Sequence, residues 1–553
     1  MPDHQSAMMP TPLLTSDIIE NAILRYPEQR IVSLMPDGHK HEYSYIEAHA
    51  RIKKLANALS KLGFNKGDRI GTLANNHYRH FELYYAIGGS GAVIHTLNPR
   101  LFEEQLEYII KHAEDEYIFV DPCFIPLLEN IQSRIPKVKA FIINCFESDM
   151  PSTQLAPVYC YEALLDKETS DFDWPKLKGT DNCGLCYTSG TTGNPKGVIY
   201  DHQSSILHAM MSGSSQFLSF NEWDIIMPAV PMYHVVAWGI PYSAPLFGSK
   251  LVFCGDKLDG ESLYHLIDSE QVNKGFGVPT IWLGLHNYLD SLKQDTDLEP
   301  ISPIPSLKMV GVGGAASPTN LVKAYAEKYD VYWMGLWGMT ETSPLMSASV
   351  NSPSIQKLDP ESRYHLQSSA GKAMFGTQIE IFDQDNQTLA HDGIQQGILK
   401  VKGPWVLKEY FKGEGQENFE DGWFNTGDIA VINPEGYLRI VDRAKDVIKS
   451  GGEWISSVQL EDAALEYASI NEACVIGVTH PKWDERPILL VTIKPGKVFE
   501  QEALIATLKQ KVAKWWLPDA ILQLESLPHT GTGKLKKIDL RNEYKDYLID
   551  KIQ

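Results

Sequence analysis

The chain has 553 residues, of which 43% are hydrophobic, 10% aromatic and 22% charged. This length exceeds what one hydrophobic core supports, so we expect about two to four domains. The formal net charge of −20 argues against nucleic acid or an anionic membrane as the main partner. A polyanionic ligand would therefore need local positive charge and backbone N–H groups.

Neither a secretion signal nor a membrane span is predicted. The first residues, MPDHQSAMMPTPLL, have neither a basic region nor an apolar run. Residues 225–249 contain no Asp, Glu, Lys or Arg, but four prolines and two glycines interrupt them. We expect buried strands and a short helix beside an apolar pocket there. The seven scattered cysteines are typical of a reducing compartment, which predicts a cytoplasmic location.

Helix and strand patterns alternate along the first half of the chain. The clearest helix spans 44–63, with a capping box formed by Ser44 and Glu47 and a glycine, Gly63, at its end. Strand patterns at 68–74, 92–97 and 116–121 are separated by helical patterns at 80–89 and 102–113. This order predicts an α/β fold with a mainly parallel sheet, whose ligands bind at loops that leave the strand ends.

A polar loop, CYTSGTTGNPKGV (186–198), directly follows the strand pattern CGLCYT. Its glycines let backbone N–H groups approach a phosphate closely, so the loop predicts phosphate binding. It is not a Walker A loop, because Pro195 stands where that motif needs glycine. The residues predicted to hold the phosphates are Thr188, Ser189, Gly190, Thr191, Thr192, Gly193 and Lys196.

The last part of the chain predicts a small α/β module of roughly 110 residues, which is within the usual domain size. Charged and glycine residues replace apolar runs near 439–457, and two strand patterns between two helical patterns follow. Near its end, LPHTGTGKLKKIDL is a second loop rich in glycine and lysine. Two lysine-bearing loops on two domains indicate a site that closes between them.

Four further motifs accompany the phosphate loop. They are VGVGGAAS (310–317), LWGMTETSP (336–344), WFNTGD (423–428) with VDRAKDVIKSGGEWIS (441–456), and TGTGKLKK (530–537). In this order the whole chain resembles the AMP-forming acyl-CoA synthetases, whose superfamily also holds luciferases and peptide-synthetase adenylation domains. MYHVVAWGIPY (232–242), WGMTETSP and SGGEWISS look most like medium-chain fatty acid and methylthiopropionate CoA ligases.

The resemblance implies a first half-reaction in which a carboxylate attacks the α-phosphate of ATP, giving acyl-AMP and pyrophosphate. The site must supply positive charge where these anions meet. Glu341, joined by Thr188, would hold Mg²⁺, and Lys534 would reach the oxygen between carboxylate and α-phosphate. Asp428 would take the ribose hydroxyls, and Arg443 would assist. The purine would lie against Gly313, Gly314 and Ala315, with the indole of Trp337 as a stacking face. Gly338, Met339 and Thr340 would also bind the nucleotide.

The second half-reaction implied by the resemblance is attack of the CoA thiol on the mixed anhydride, which releases AMP. In this family the small domain first rotates, and Lys445 matches the hinge position. We therefore predict an adenylation domain at 1–441, a hinge at 442–446 and a small C-terminal domain at 447–553 that carries Lys534. Ser450, Gly451, Gly452, Glu453 and Trp454 would line the path of the pantetheine arm.

The acyl pocket is predicted to involve His234, Val235, Trp238, Gly314 and Leu336. His234 and Trp238 stand four apart, which places them on one face if that stretch is helical. A bulky tryptophan there would limit chain length, so we expect a short- to medium-chain acid, with 3-methylthiopropionate as an alternative. One departure concerns Gly335 and Leu336, because the subgroup more often has a His-Ala pair before the tryptophan.

Two other classes of function stay open. An adenylating enzyme of this fold can load a carrier protein, although GGEWIS favours CoA. A non-catalytic acyl or nucleotide sensor would have lost at least one of the charged motif residues, which are all present. Lys536 and Lys537 are expected to be solvated charges, and Trp515 and Trp516 core residues of the small domain. A homodimer is the expected assembly.

Overall fold

The computed structural model describes residues 9, 11–188, 194–292, 302–450, 453–529 and 535–552. The first elements are α1 (Thr15–Arg25), β1 (Arg30–Leu34), β2 (Lys40–Ser44), α2 (Tyr45–Lys61), β3 (Arg69–Leu73), α3 (Tyr78–Gly89), β4 (Val93–Thr96), α4 (Glu103–Ala113), β5 (Tyr117–Val120), α5 (Ile125–Ile131), β6 (Ala140–Ile143), β7 (Val158–Cys160), α6 (Tyr161–Leu165), β8 (Asn182–Tyr187) and β9 (Gly197–Asp201).

The central part of the chain continues with α7 (His202–Gly213), β10 (Ile225–Pro228), α8 (Ile240–Leu246), β11 (Lys250–Phe253), α9 (Gly260–Glu270), β12 (Lys274–Gly277), α10 (Pro279–Leu292), β13 (Met309–Val312), α11 (Thr319–Tyr329), β14 (Tyr332–Gly338), β15 (Leu345–Ala348), α12 (Pro353–Gln356), α13 (Pro360–Ser368), β16 (Lys372–Ala373), β17 (Gln378–Phe382), β18 (Gly397–Lys402), β19 (Phe419–Glu420), β20 (Trp423–Ile432) and β21 (Leu438–Arg443). The last elements are β22 (Ile448–Ser450), β23 (Glu453–Ile455), α14 (Ser457–Leu465), β24 (Ile470–His480), β25 (Asp484–Ile493), α15 (Gln501–Lys511), β26 (Ala520–Gln523), α16 (Lys537–Tyr544) and α17 (Tyr547–Ile552).

Within the described residues the strands form four sheets. The largest has the order β16-β15-β14-β13-β12-β10-β11-β1-β2, and its central strands are parallel. A second, mainly parallel sheet has the order β7-β6-β5-β3-β4-β8-β9. The third sheet joins β17 to β21 and is antiparallel, and the fourth joins β22 to β26. The predicted α/β class with a large parallel-sheet part and a smaller C-terminal part is confirmed.

The helix predicted at 44–63 is α2, and its start shows why the sequence folds locally as predicted. The backbone N–H of Ser44 donates to Glu47 Oε2 at 2.7 Å, and the backbone N–H of Glu47 donates to Ser44 Oγ at 3.4 Å. Past the end of the helix, Gly63 has a φ of 85°, a left-handed value that favours glycine. The buried face of α2 packs against α3, every residue of which is buried between the two parallel sheets.

The start of α14 ties the fourth sheet to β21. Ser456 Oγ donates to the carbonyl oxygen of Val441 at 2.7 Å. The N–H and the hydroxyl of Ser457 donate to Asp442 Oδ2 at 2.7 and 2.6 Å. This connection lies at the predicted hinge, so the two parts of the chain meet through buried hydrogen bonds there. In the part of the chain that the structure describes, no helix is both long and apolar enough to cross a membrane.

Candidate active site

A cavity of about 1770 Å³ lies where β10, β12, β13 and β14 end, next to the end of β8. Carboxyl ends of parallel strands are where ligands bind in α/β folds. The predicted site residues on its wall are Thr188, Lys196, His234, Val235, Trp238, Gly313, Gly314, Ala315, Leu336, Trp337, Gly338, Met339, Thr340, Glu341, Asp428, Arg443 and Lys445. Residues from five separate motifs of the sequence therefore meet at one cavity.

Several predicted site residues cannot be placed. Ser189, Gly190, Thr191, Thr192, Gly193, Gly451, Gly452 and Lys534 lie outside the described residues, and so do the side chains of Glu453 and Trp454. The neighbours of the 530–534 segment, His529 and Leu535, both line the cavity. Ser450 is described and is buried at the end of β22.

Two hydrogen bonds between Thr188 and Lys196 join the ends of the phosphate loop. The N–H of Thr188 donates to the carbonyl oxygen of Lys196 at 2.9 Å, and the N–H of Lys196 donates to Thr188 Oγ1 at 3.1 Å. Lys196 Nζ lies 3.0 Å from Glu417 Oε1 and 5.1 Å from the ring centre of Tyr410. Lys196, which is predicted to bind the polyphosphate, is thus paired with the carboxylate of Glu417.

Asp428 is the centre of a second, buried cluster on the wall of the cavity. Its Oδ1 lies 2.8 Å from Arg443 Nε, its cross-strand partner on β21. Its Oδ2 accepts a hydrogen bond from the indole N–H of Trp337 at 3.0 Å. Asp428 is 2% exposed, and its negative charge raises the pKa of Arg443. The tryptophan, predicted as a stacking face, also orients this carboxylate, and each carboxylate oxygen keeps a lone pair for another donor.

Glu341 is buried beside this cluster, and its carboxylate has one partner that the sequence did not indicate. The hydroxyl of Tyr410 donates to Glu341 Oε1 at 2.7 Å. Burial raises the pKa of Glu341, and the hydrogen bond from Tyr410 acts against that rise. The described residues contain no group of three or more His, Cys, Asp or Glu side chains arranged to hold a metal. A carboxylate and the hydroxyl of Thr188 nevertheless suit Mg²⁺, which takes oxygen ligands and keeps several from phosphate or water.

The glycines near the predicted purine wall are required by strand packing. A Cβ at Gly338 would lie 2.0 Å from the carbonyl oxygen of Pro344, and one at Gly313 would lie 2.7 Å from that of Leu336. At Gly335, where the sequence departs from its subgroup, a Cβ would lie 2.1 Å from the carbonyl oxygen of Ser369. The departure therefore accompanies a close approach of β14 to the chain after α13.

The part of the cavity that is predicted to bind the acyl group contains a left-handed turn, which the sequence did not indicate. Val235, Val236, Ala237 and Trp238 have φ values of 46°, 55°, 44° and 60°, and Gly239 follows at 77°. The spacing of His234 and Trp238 thus does not place them on one face of a right-handed helix, although both line the cavity. Left-handed backbone costs roughly 1–2 kcal/mol per non-glycine residue, so surrounding packing must hold this turn.

Two expectations for the small domain are wrong. Lys537 is not a solvated charge, because its Nζ lies 2.6 Å from Ser457 Oγ and 2.7 Å from Glu461 Oε1, with 12% of the side chain exposed. Trp515 is 41% exposed, whereas Trp516 packs against the core of the fourth sheet. The predicted hinge is also held from the small domain, since the guanidinium of Arg541 donates to the carbonyl oxygens of Lys445 and Asp446.

Comparisons with known families identify this arrangement. The model of the AMP-binding enzyme family matches residues 19–411, and that of the AMP-binding enzyme C-terminal domain matches residues 459–534. The chain belongs to the AMP-binding enzyme family. A crystal structure of an anthranilate CoA ligase in complex with anthranoyl-AMP has the same fold, with a TM-score of 0.85 and 21% identity over 98% of this chain and 99% of that one.

Two relatives resemble this AMP-binding enzyme along their whole length. A 3-methylmercaptopropionyl-CoA ligase of Ruegeria lacuscaerulensis is 43% identical over 98% of this chain and 99% of the relative. A medium-chain-fatty-acid–CoA ligase of Ectopseudomonas oleovorans is 40% identical over 98% of each chain. These similarities, together with the two family matches, make the protein an AMP-forming acyl-CoA synthetase with ATP and CoA as co-substrates.

Proposed function

We propose that this enzyme ligates a short- to medium-chain fatty acid to CoA, with 3-methylthiopropionate as the competing substrate. The observation that carries the proposal is the pair of full-length relatives at 43% and 40% identity, whose names give these two kinds of acid. An apolar wall that includes Val235, Trp238 and Leu336 supports an acid with a short apolar tail. Loading of a carrier protein is a less favoured function, because both relatives act on CoA.

In the first step a carboxylate oxygen attacks the α-phosphorus of ATP, and the bond to the β-phosphate oxygen breaks as pyrophosphate leaves. Lys196 would break its ion pair with Glu417 and bind the phosphates that leave as pyrophosphate. Asp428 would bind the ribose. Glu341 and Thr188 would hold Mg²⁺, which when bound neutralises phosphate charge. Lys534 would offset the negative charge between the acid and the α-phosphate.

In the second step the CoA sulfur attacks the acyl carbon, the thiol proton is lost, and AMP leaves with the electrons of the broken C–O bond. We expect rotation about Lys445 to remove Lys534 and to bring the 450–454 loop to the cavity. Exclusion of water from the closed site would protect acyl-AMP from hydrolysis. A homodimer acting in the cytoplasm remains part of the proposal.

The test measures AMP and pyrophosphate release with acids from propionate and 3-methylthiopropionate to palmitate, each with and without CoA. We expect CoA-dependent AMP formation with one preferred acid. Lys534→Ala should lose about 10²–10³ in the rate from the acid but keep CoA transfer from preformed acyl-AMP.

Lys536→Ala is the matched control, because Lys536, in the described part of the chain, does not line the cavity and its Nζ lies 2.8 Å from Asp539 and 5.1 Å from the ring centre of Phe102. It should stay close to wild type. Acyl-AMP that accumulates and ignores CoA would indicate a carrier protein instead. No turnover with any acid would contradict the proposal and favour a sensor.

A further inference from the structure

Arg486, on β25, is the most heavily bonded cation of the fourth sheet among those described, and no motif of the sequence includes it. Its Nη1 donates to Ser450 Oγ at 3.2 Å and to the carbonyl oxygen of Trp515 at 2.8 Å. Its Nη2 donates to the carbonyl oxygen of Leu517 at 3.0 Å. Its Nε and Nη2 both reach Asp519, with distances between 2.7 and 3.1 Å.

These contacts join three separate stretches of the small domain at the start of the predicted CoA loop. Arg486 comes from the start of β25, Ser450 is the last residue of β22, and residues 515–519 precede β26. A planar guanidinium can bond several acceptors at fixed angles, which an ammonium group cannot. The side chain of Arg486 is 12% exposed and that of Asp519 is 30% exposed, so the guanidinium is largely covered although its partners lie near the surface.

The two residues before Arg486 hold the same end of β22. Asp484 is the antiparallel partner of Ser450, and Glu485 Oε2 accepts the backbone N–H of Lys449 at 2.9 Å. Three consecutive residues therefore fix both the backbone and the side chain at 449–450. Ser450 is the first residue of the segment 450–454 that is predicted to line the path of the pantetheine arm, so Arg486 acts where that segment begins.

Within the described part of the chain, Arg486 does not line the cavity that contains Asp428 and Glu341. Its effect on the reaction would pass through Ser450. We propose that Arg486 is a positioning residue for the second half-reaction, because it fixes the start of the loop along which the pantetheine arm of CoA reaches the acyl-adenylate. This inference rests on the proposed function, which places CoA at residues 450–454.

The test uses the full-length enzyme and separates the two half-reactions. ATP–pyrophosphate exchange that depends on the acid measures adenylation, and acyl-CoA formation from preformed acyl-AMP measures transfer. Arg486→Lys should leave exchange close to wild type and slow transfer by about 10- to 100-fold, since a small displacement of a positioned group has effects of that size. Ser450→Ala removes one contact, keeps the pair between Arg486 and Asp519, and should slow transfer less.

Lys509→Met is the control, because Lys509 is an exposed cation on α15 of the same domain. It should change neither step. Equal slowing of exchange and transfer by Arg486→Lys would mean that the residue only stabilises the domain, and unchanged transfer in both variants would also overturn the inference. If the wild-type enzyme formed acyl-AMP but no acyl-CoA, the proposed function itself would fail, and the inference with it.

Discussion

The two ends of the nucleotide cavity are built differently. At the proposed ribose and metal end, Asp428 and Glu341 are buried, and each accepts a hydrogen bond from an aromatic side chain, Trp337 or Tyr410. At the phosphate end, Lys196 is one-third exposed and pairs with Glu417, whose side chain is 71% exposed. Buried donors fix the carboxylates before substrate arrives, whereas an exposed pair costs little to break. The end around Asp428 and Glu341, where we propose that AMP binds, is thus rigid, and the end around Lys196, where we propose that pyrophosphate leaves, is adaptable.

The largest effect is expected from removing the charge at the rigid end. Asp428→Asn keeps the shape of the side chain but takes the anionic partner away from Arg443, 2.8 Å distant. We expect the KM for ATP to rise roughly 10- to 100-fold, because a hydrogen bond to a charged group contributes ~1.5–3 kcal/mol. Initial rates at varied ATP concentration measure this change.

The matched variant at the same carboxylate is Trp337→Phe, which removes only the indole donor to Asp428. This hydrogen bond also involves a charged carboxylate, but Arg443 still holds Asp428 in the variant. We therefore expect a loss near the lower end of ~1.5–3 kcal/mol, which is about a tenfold rise in the KM for ATP. A larger effect of Trp337→Phe than of Asp428→Asn would mean that stacking on the indole, not the carboxylate, dominates nucleotide binding.

The residues of this site could be predicted to different degrees. Thr188, Glu341, Asp428 and Arg443 stand in contiguous motifs, and the resemblance of those motifs to the acyl-CoA synthetases predicted that they would meet at one cavity. Tyr410 and Glu417 have no such signal, because their positions depend on how the segment before β20 lies over the phosphate loop. Each was recognisable only once its partner, Glu341 or Lys196, had a position.

The fold, like the site, was predictable where neighbouring residues in the sequence determine the structure and not where distant residues do. Alternating patterns predicted the parallel sheets, and the capping box at Ser44 predicted the start of α2. The left-handed turn at 235–239 was not predictable, since residue spacing does not encode the hand of a turn that surrounding packing imposes. Lys537 was predicted, like Lys536, to be a solvated charge, and its contacts with Glu461 and Ser457, far away in the sequence, distinguish it.

A second prediction concerns the pH dependence of the rigid end. Burial raises the pKa of Glu341, while Tyr410 favours its charged form. Tyr410→Phe should therefore raise that pKa further and move the acid limb of the activity profile to higher pH. At the acid end of the profile we expect about a tenfold loss of kcat/KM, from the size of a hydrogen bond to a charged group, and little loss at alkaline pH. A uniform loss at every pH would mean that Tyr410 acts only through packing.

The same pKa shift gives a stability prediction for the ligand-free protein. Because the pKa of Glu341 is raised on folding, its contribution to stability is full below the ordinary pKa of glutamate and is lost as pH rises through the raised value. Glu341→Gln should thus melt at a higher temperature than wild type at neutral pH, with the difference shrinking as the pH falls. Thermal melts at several pH values measure it, and a Tm below wild type at neutral pH would contradict it.

The smallest effect is expected at the adaptable end, where Glu417→Gln removes the carboxylate that pairs with Lys196. An exposed ion pair contributes ~0–1 kcal/mol, so the fold should tolerate the change with little loss of stability. Because Lys196 no longer has to leave Glu417 before it meets phosphate, the KM for ATP should fall, by at most about fivefold. Pyrophosphate should also inhibit the variant at lower concentration, since the same lysine would hold it.

The control for this variant is Glu414→Gln, which neutralises a neighbouring carboxylate that lines the cavity but lies 3.6 Å from His112 rather than beside Lys196. If both variants lowered the KM equally, the cause would be the general loss of negative charge near the polyphosphate. If only Glu417→Gln lowered the KM, Glu417 would occupy Lys196 specifically until a phosphate of ATP replaces it. The adaptable end would then work by exchanging one anion for another. An unchanged KM in Glu417→Gln would mean that Lys196 is equally available with or without its partner.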